Sequence, residues 1–381
     1  MSIHTGSQAN EALPQSRTME ARTVARAGKP IDGRGLGGTA SGFDFYRSDA
    51  TSRPRPTHLE SLDSIRAPGA LSPDETRARS HELAAAIARE SYEEIEVHLD
   101  VARSTYWCHM IPSERPTYTP ALLRGLSGVQ QSFQRHFSAA REDGAVSAPF
   151  RYIVIRSRHP GVFNLGGDLS YFSQAIIAGD REALHAYATA CIDVVYDNYV
   201  NYNLPVVTIG LAEGSALGGG FEALLSCDVI VAEKGTRFGF PEVLFNLFPG
   251  MGAFSFLCRR LGSAEAERMI NSGETFSAEE LYERGLVHVL AEPGEGEAAV
   301  QDFTARNMRR HNAHCAMYAA SRRANGVPYE ELADIVSLWV ETAMQLTQAD
   351  LRKMMRILEA QHRREAAAQA KVQDRAQACR A

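Results

Sequence analysis

No apolar run in this chain approaches the roughly 18 residues that a membrane span requires, and the first thirty residues lack the apolar stretch of a secretory signal. A spanning protein and an exported one are both excluded as expectations, and a cytoplasmic location is expected. None of the six cysteines, Cys108, Cys191, Cys227, Cys258, Cys315 and Cys379, stands in a C-x-x-C pair, and their spacing is irregular. That pattern argues for free thiols in a reducing compartment rather than a disulfide framework. An excess of basic charge is missing too: 40 Lys and Arg against 46 Asp and Glu leave a net charge of -6, which disfavours a dedicated nucleic-acid binder. Arg17, Arg22 and Arg26 are interrupted by Glu11 and Glu20, so the acid-poor signature of an organellar presequence is absent as well. What remains is ample apolar content, 44% of 381 residues, which is enough to bury a sizeable core.

That content is unevenly spread. Residues 1–80 carry Gly, Ser, Pro and Arg runs such as GRGLGGTASG and TSRPRP with few spaced apolar residues, and are expected to be a disordered extension. Gly33, Gly35 and Gly38 formally match G-x-G-x-x-G, but no strand precedes them and no helix follows, so the match is compositional. A helix near 75–91 leads into EIEVHLDVARSTYWCHM, which reads as paired strands. Helical TPALLRGLSGVQQSFQRHF, strand FRYIVIRS, helical DREALHAYATACIDVVYDNYVNY, and strands PVVTIGLA and DVIVAE then alternate, predicting an α/β protein with a largely parallel sheet. The expected divisions are a catalytic core over 81–300, a helical region over 301–365 and a tail over 366–381.

The densest chemical signal runs from Ala212 to Phe254. Gly218, Gly219 and Gly220 lie between a strand and the helical FEALLSC, a turn whose bare N–H groups can approach an anionic oxygen, or whose glycines merely allow close packing. A second pair, Gly166 and Gly167 in FNLGGD, follows the strand YIVIRS and should reach the same carboxyl edge of the sheet. Glu222 and Glu242 sit among apolar neighbours, where a carboxylate must be paired, hydrogen-bonded or shifted in proton affinity, as acid/base work requires. His311, His314 and Cys315 lack the second cluster of a zinc site, so no metal is expected. Ser215 is not in a nucleophile elbow, because Glu213 replaces the first glycine of G-x-S-x-G.

The order and spacing of FNLGGDL, ALGGGFE, PEVL and TFSAEELYERGLV, over about residues 92 to 300, resemble the crotonase (enoyl-CoA hydratase/isomerase) superfamily. VFNLGGDLSYF, ALGGGFEALLSC, PEVLFNLFPGMGAFSF, WVETAMQL and LRKMMRILEAQHRR resemble more closely its diffusible signal factor synthases, which make cis-2-unsaturated fatty acid signals in quorum sensing. The resemblance implies the crotonase fold, a spiral of ββα repeats, with Gly167 and Gly219 as oxyanion-hole donors and Glu222 and Glu242 as the catalytic carboxylates. It implies a 3-hydroxyacyl-thioester dehydratase with thioesterase capability that releases a free acid. An enoyl-CoA hydratase or isomerase that retains its product on CoA, or a non-catalytic scaffold, are the alternatives. No cofactor is implied, because acyl carrier protein or CoA arrives with the substrate; a homotrimer or hexamer is. Phe245, Phe248, Met251, Phe254, Trp339 and Met344 are the expected walls of an acyl tunnel, unless they serve the core.

Overall fold

The computed structural model describes residues 73–113, 115–142, 150–357 and 359–360. The N-terminal extension before residue 73, including Gly33, Gly35, Gly38 and the early arginines, lies outside the described residues, as does the tail over 366–381. Residues 73–80 are not part of an extension. They form the first half of helix α1 (Pro73–Ile87), which buries Ala84 and Ile87 against the domain.

Strands β1 (Ile95–Asp100) and β2 (Thr105–Met110) form an antiparallel hairpin, followed by the long helix α2 (Pro120–Glu142). Strand β3 (Tyr152–Ser157) is succeeded by a three-residue strand, β4 (Val162–Asn164), and then by α3 (Leu169–Ala178) and α4 (Arg181–Tyr199). The pattern repeats: β5 (Val207–Ala212), β6 (Ser215–Leu217) and α5 (Gly219–Leu225), then β7 (Val229–Glu233) and β8 (Arg237–Gly239). A 3-10 turn over Pro241–Phe245 and the helices α6 (Ala253–Leu261) and α7 (Ser263–Ser272) complete that third repeat. Next come β9 (Thr275–Ser277), α8 (Ala278–Glu283), β10 (Val289–Ala291), α9 (Gly296–Asn307), α10 (His311–Asn325) and α11 (Tyr329–Ala343). Residues 348–357 are helical again.

The long strands make a six-stranded sheet in the order β1-β2-β3-β5-β7-β10, parallel after the first hairpin, while the short ones make a second sheet, β4-β6-β8-β9. This is the crotonase spiral: each ββα turn adds one strand to either sheet. Both faces of the larger sheet are covered, which is why β5 and β7 are buried at every position and apolar except at Thr208 and Glu233. On one face Trp107, Tyr152, Val207, Ile209 and Val231 meet Val300 and Phe303 of α9. On the other, Tyr106, Ile153 and Ile230 belong to the main core with α2, α4 and α5.

Several sequence expectations change here. The small sheet was not anticipated, since three-residue strands are too short to show a period of two. Within the expected helical region over 301–365, a 3-10 turn over Met308–Arg310 separates α9 from α10. The core boundary drawn at residue 300 falls inside α9. Cys315 Sγ lies 3.3 Å from His311 Nε2, which also contacts the Pro205 carbonyl at 3.0 Å, so this cluster docks α10 against the sheet. Among the described residues the five cysteines are unpaired, no three or more His, Cys, Asp and Glu side chains group as a metal site, and no helix is long and apolar enough to cross a membrane.

Candidate active site

The glycine pairs do not follow the long strands directly. Gly166 and Gly167 follow β4, and Gly218 and Gly219 follow β6, so the parallel pairing of these two short strands brings the turns side by side. Gly166 takes φ +92°, and a Cβ there would lie 2.8 Å from Gly219 N, which only glycine permits. Gly218 takes φ +51°, with Glu242 Oε1 where its Cβ would be, at 2.3 Å. The N–H groups of Gly167 and Gly219 have no protein acceptor among the described residues. Two unsatisfied donors on touching turns are what a developing oxyanion needs.

The Gly167 turn is braced. Asn164 Oδ1 accepts the Gly166 N–H at 2.7 Å, and Asp168 caps α3 by accepting the N–H groups of Ser170 and Tyr171 at 2.9 and 3.2 Å. The Tyr187 hydroxyl accepts the Asp168 N–H at 3.0 Å and donates to the Tyr118 carbonyl.

Glu222, on the first turn of α5, is 1% exposed. Its Oε1 accepts the N–H groups of Met251 at 2.7 Å and Ala253 at 2.9 Å. Burial raises its pKa, and those backbone donors hold part of the rise back. Glu242 lies not in an open loop but in the 3-10 turn that Pro241 starts. Its Oε2 is buried with no hydrogen-bond partner among the described residues. Burial raises its pKa, and the Glu222 carboxylate beside it adds to the rise.

Both glutamates and both donor glycines line one cavity of about 630 Å³, counting its open mouth. Phe245, Met251 and Trp339 line it as well. Phe248, Phe254 and Met344 do not; they are half-buried side chains packed on the core. The remaining wall includes Leu165, Leu169, Phe172, Tyr187, Cys191 and Ile357. Sequence reasoning missed these six. Only Tyr187 and Cys191, one turn apart on a helix, had a spacing that could have marked them. Phe172 stacks edge-on with both Trp339 and Tyr187, with centroids 5.0 and 5.2 Å apart, so α3, α4 and α11 close the wall together.

The sequence profile of the enoyl-CoA hydratase/isomerase family matches residues 127–325, which include both glycine turns and both glutamates. The chain belongs to this family. Mouse mitochondrial methylglutaconyl-CoA hydratase is 35% identical over 152 residues, 39% of this chain and 46% of that protein. The chain spans about half the length of the curated relatives it matches. The crystal structure of human mitochondrial delta3-delta2-enoyl-CoA isomerase superposes with a TM-score of 0.58 at 17% identity, over 71% of this chain and 99% of that one. A structure of Pseudomonas aeruginosa DspI gives a TM-score of 0.49 at 22% identity, over 62% of this chain and 90% of that one. At these identities the structural likeness concerns the fold alone. Family membership leaves the chain's activity and substrate to be argued from the chemistry of the cavity.

Proposed function

We propose that the protein dehydrates a 3-hydroxyacyl thioester and then hydrolyses the thioester, releasing a free cis-2-unsaturated fatty acid. The observation that carries this reading is the convergence of two buried carboxylates and two unpartnered N–H groups on one largely apolar cavity. The thioester oxygen sits between the Gly167 and Gly219 N–H groups, which take up the negative charge as the α-carbon loses its proton. Glu222, whose charge two backbone donors stabilise, takes that proton as the base. Glu242, kept protonated by burial and by its neighbour, gives its proton to the 3-hydroxyl as the C3–O bond breaks and water leaves. In the second step water attacks the thioester carbon, the same N–H pair holds the tetrahedral oxyanion, and the thiol departs.

The carrier is acyl carrier protein or CoA, and no further cofactor enters this chemistry. On this reading the protein works in the cytoplasm as a trimer or a dimer of trimers, and a monomer by light scattering at micromolar concentration would refute the assembly. The test of function is turnover of 3-hydroxydodecanoyl thioesters by the purified full chain, following enoyl product by absorbance and free thiol by a colorimetric reagent. Both signals are expected. The names of the hydratase relatives favour a second reading, an enzyme that leaves its product on CoA; enoyl product without thiol release would establish it. Neither signal on any thioester would refute both.

A further inference from the structure

A second cavity, of about 470 Å³ with its open part, lies between α2, α4 and the larger sheet. Its walls are apolar, with Met110, Leu126, Val129, Ile155, Phe163 and Val195 among them. Several of its polar groups have protein partners: Asn198 Nδ2 donates to Ser226 Oγ at 2.7 Å, and Gln130 Nε2 to the Val194 carbonyl at 3.1 Å. Three elements run from the catalytic cavity to this one within a few residues. Leu165 faces the first and Phe163 the second, Cys191 the first and Val194 the second, Glu222 the first and Ala223 the second. On α4, Tyr187, Ala188 and Cys191 line the first cavity and Val194, Val195 and Asn198 the second, a 1-4-7-8-11 spacing that keeps all six on one helix face.

Tyr118 stands between the two. It lines the second cavity, while its carbonyl accepts the hydroxyl of Tyr187, which lines the first. Burial raises the pKa of its phenol.

We propose that the second cavity is a distal acyl subsite, which a long chain enters beside Tyr118; this rests on the acyl-thioester reading above. From Tyr187 to Asn198 the α4 stripe is about 16 Å long at ~1.5 Å per residue. An extended chain advances ~1.25 Å per methylene, given C–C bonds of ~1.52 Å at the tetrahedral angle, so the stripe spans about a dozen carbons. Short acyl chains end in the catalytic cavity and gain nothing from the second.

The test uses a 2-oxotridecyl thioether of the carrier thiol, in which a methylene between sulfur and carbonyl prevents hydrolysis, with a diazirine on its terminal carbon, photolysed on the full wild-type chain. Labelling is expected on residues of Cys108–Met110, Val194–Asn198 or Ala223–Cys227. Labels confined to the segments of Leu247, Trp339 and Ile357 would overturn the subsite. Val195→Phe, which fills the second cavity, should lower the ratio of kcat/KM for dodecanoyl over hexanoyl substrates at least about tenfold. A ratio within twofold of wild type in a folded V195F would also overturn it. If V195F fails to fold, the label position decides. Wild type inactive on every thioester would remove the acyl-thioester reading itself, whereas an active enzyme labelled elsewhere removes only the second cavity.

Discussion

Replacing Glu222 in two ways separates its chemical role from its structural one. Its Oε1 is the acceptor for two buried N–H groups, Met251 at 2.7 Å and Ala253 at 2.9 Å. Glu222→Ala orphans both donors, at roughly 1–3 kcal/mol each, so the expected loss is about 2–6 kcal/mol of stability. It also frees the turn that aims Met251 into the cavity. Glu222→Gln keeps an oxygen in place for both donors and removes only the ionisable group, so it should not show that loss. Both variants lose the proton acceptor, and dehydration should fall about 10²- to 10⁴-fold in each. The assays are urea unfolding and turnover of a 3-hydroxyacyl thioester, on the same preparations. Equal stability of the two variants would refute the bracing role of the carboxylate, and near-normal turnover in Glu222→Gln would remove Glu222 from the mechanism.

Stability should also depend on pH through the two carboxyl groups. Burial raises both pKa values in the folded state, so the folded chain holds protons that the unfolded chain gives up. Their contribution is complete below the unfolded value of about 4.3 and is lost as pH rises through the raised values, with a slope of at most ~1.4 kcal/mol per pH unit for each proton. Wild type should therefore lose stability relative to Glu242→Gln between about pH 5 and 9; parallel curves would show that Glu242 is not perturbed. Gly219→Ala places a methyl 2.4 Å from Met251 Sδ and 3.3 Å from Gly166 Cα, so Met251 must swing aside in the cavity and the two glycine turns must part by a few tenths of an ångström. A fall in kcat of about 10² to 10³, read by steady-state kinetics, is expected, and an unchanged kcat would remove that donor from the oxyanion hole. Tyr187→Phe leaves the Asp168 N–H and the Tyr118 carbonyl without their partner. It should lower kcat more than it raises KM, and a purely KM effect would mean that Tyr187 only lines the wall.

The alternation of long strands and helices was legible in the sequence because FRYIVIRS, PVVTIGLA and DVIVAE are short apolar runs with helical periodicity between them. So were the two glycine turns and the two glutamates, because a triple glycine and a carboxylate among apolar residues each break a local rule that an ordinary core would keep. What stayed hidden was whatever depends on contact between distant segments. Strands β4, β6 and β8 hold their shape only by pairing with one another, and three residues leave no pattern to read. Phe245 and Phe248 are three residues apart in the same apolar run, yet only the first reaches the cavity, and between them Asn246 ends the 3-10 turn at φ +63° and redirects the chain.

The sequence alone therefore determined the composition of the site: which residues carry charge, which turns expose N–H groups, and which segments must be buried. Only the tertiary structure decided that Gly166 touches Gly219, that Glu242 Oε2 has no partner among the described residues while Glu222 has two, and that Tyr187 and Ile357, 170 residues apart, share a wall. The reason is physical. Residue type and local spacing act within a turn or two of the chain, whereas proton affinity, cavity shape and donor convergence are set by neighbours that folding brings together from far along it.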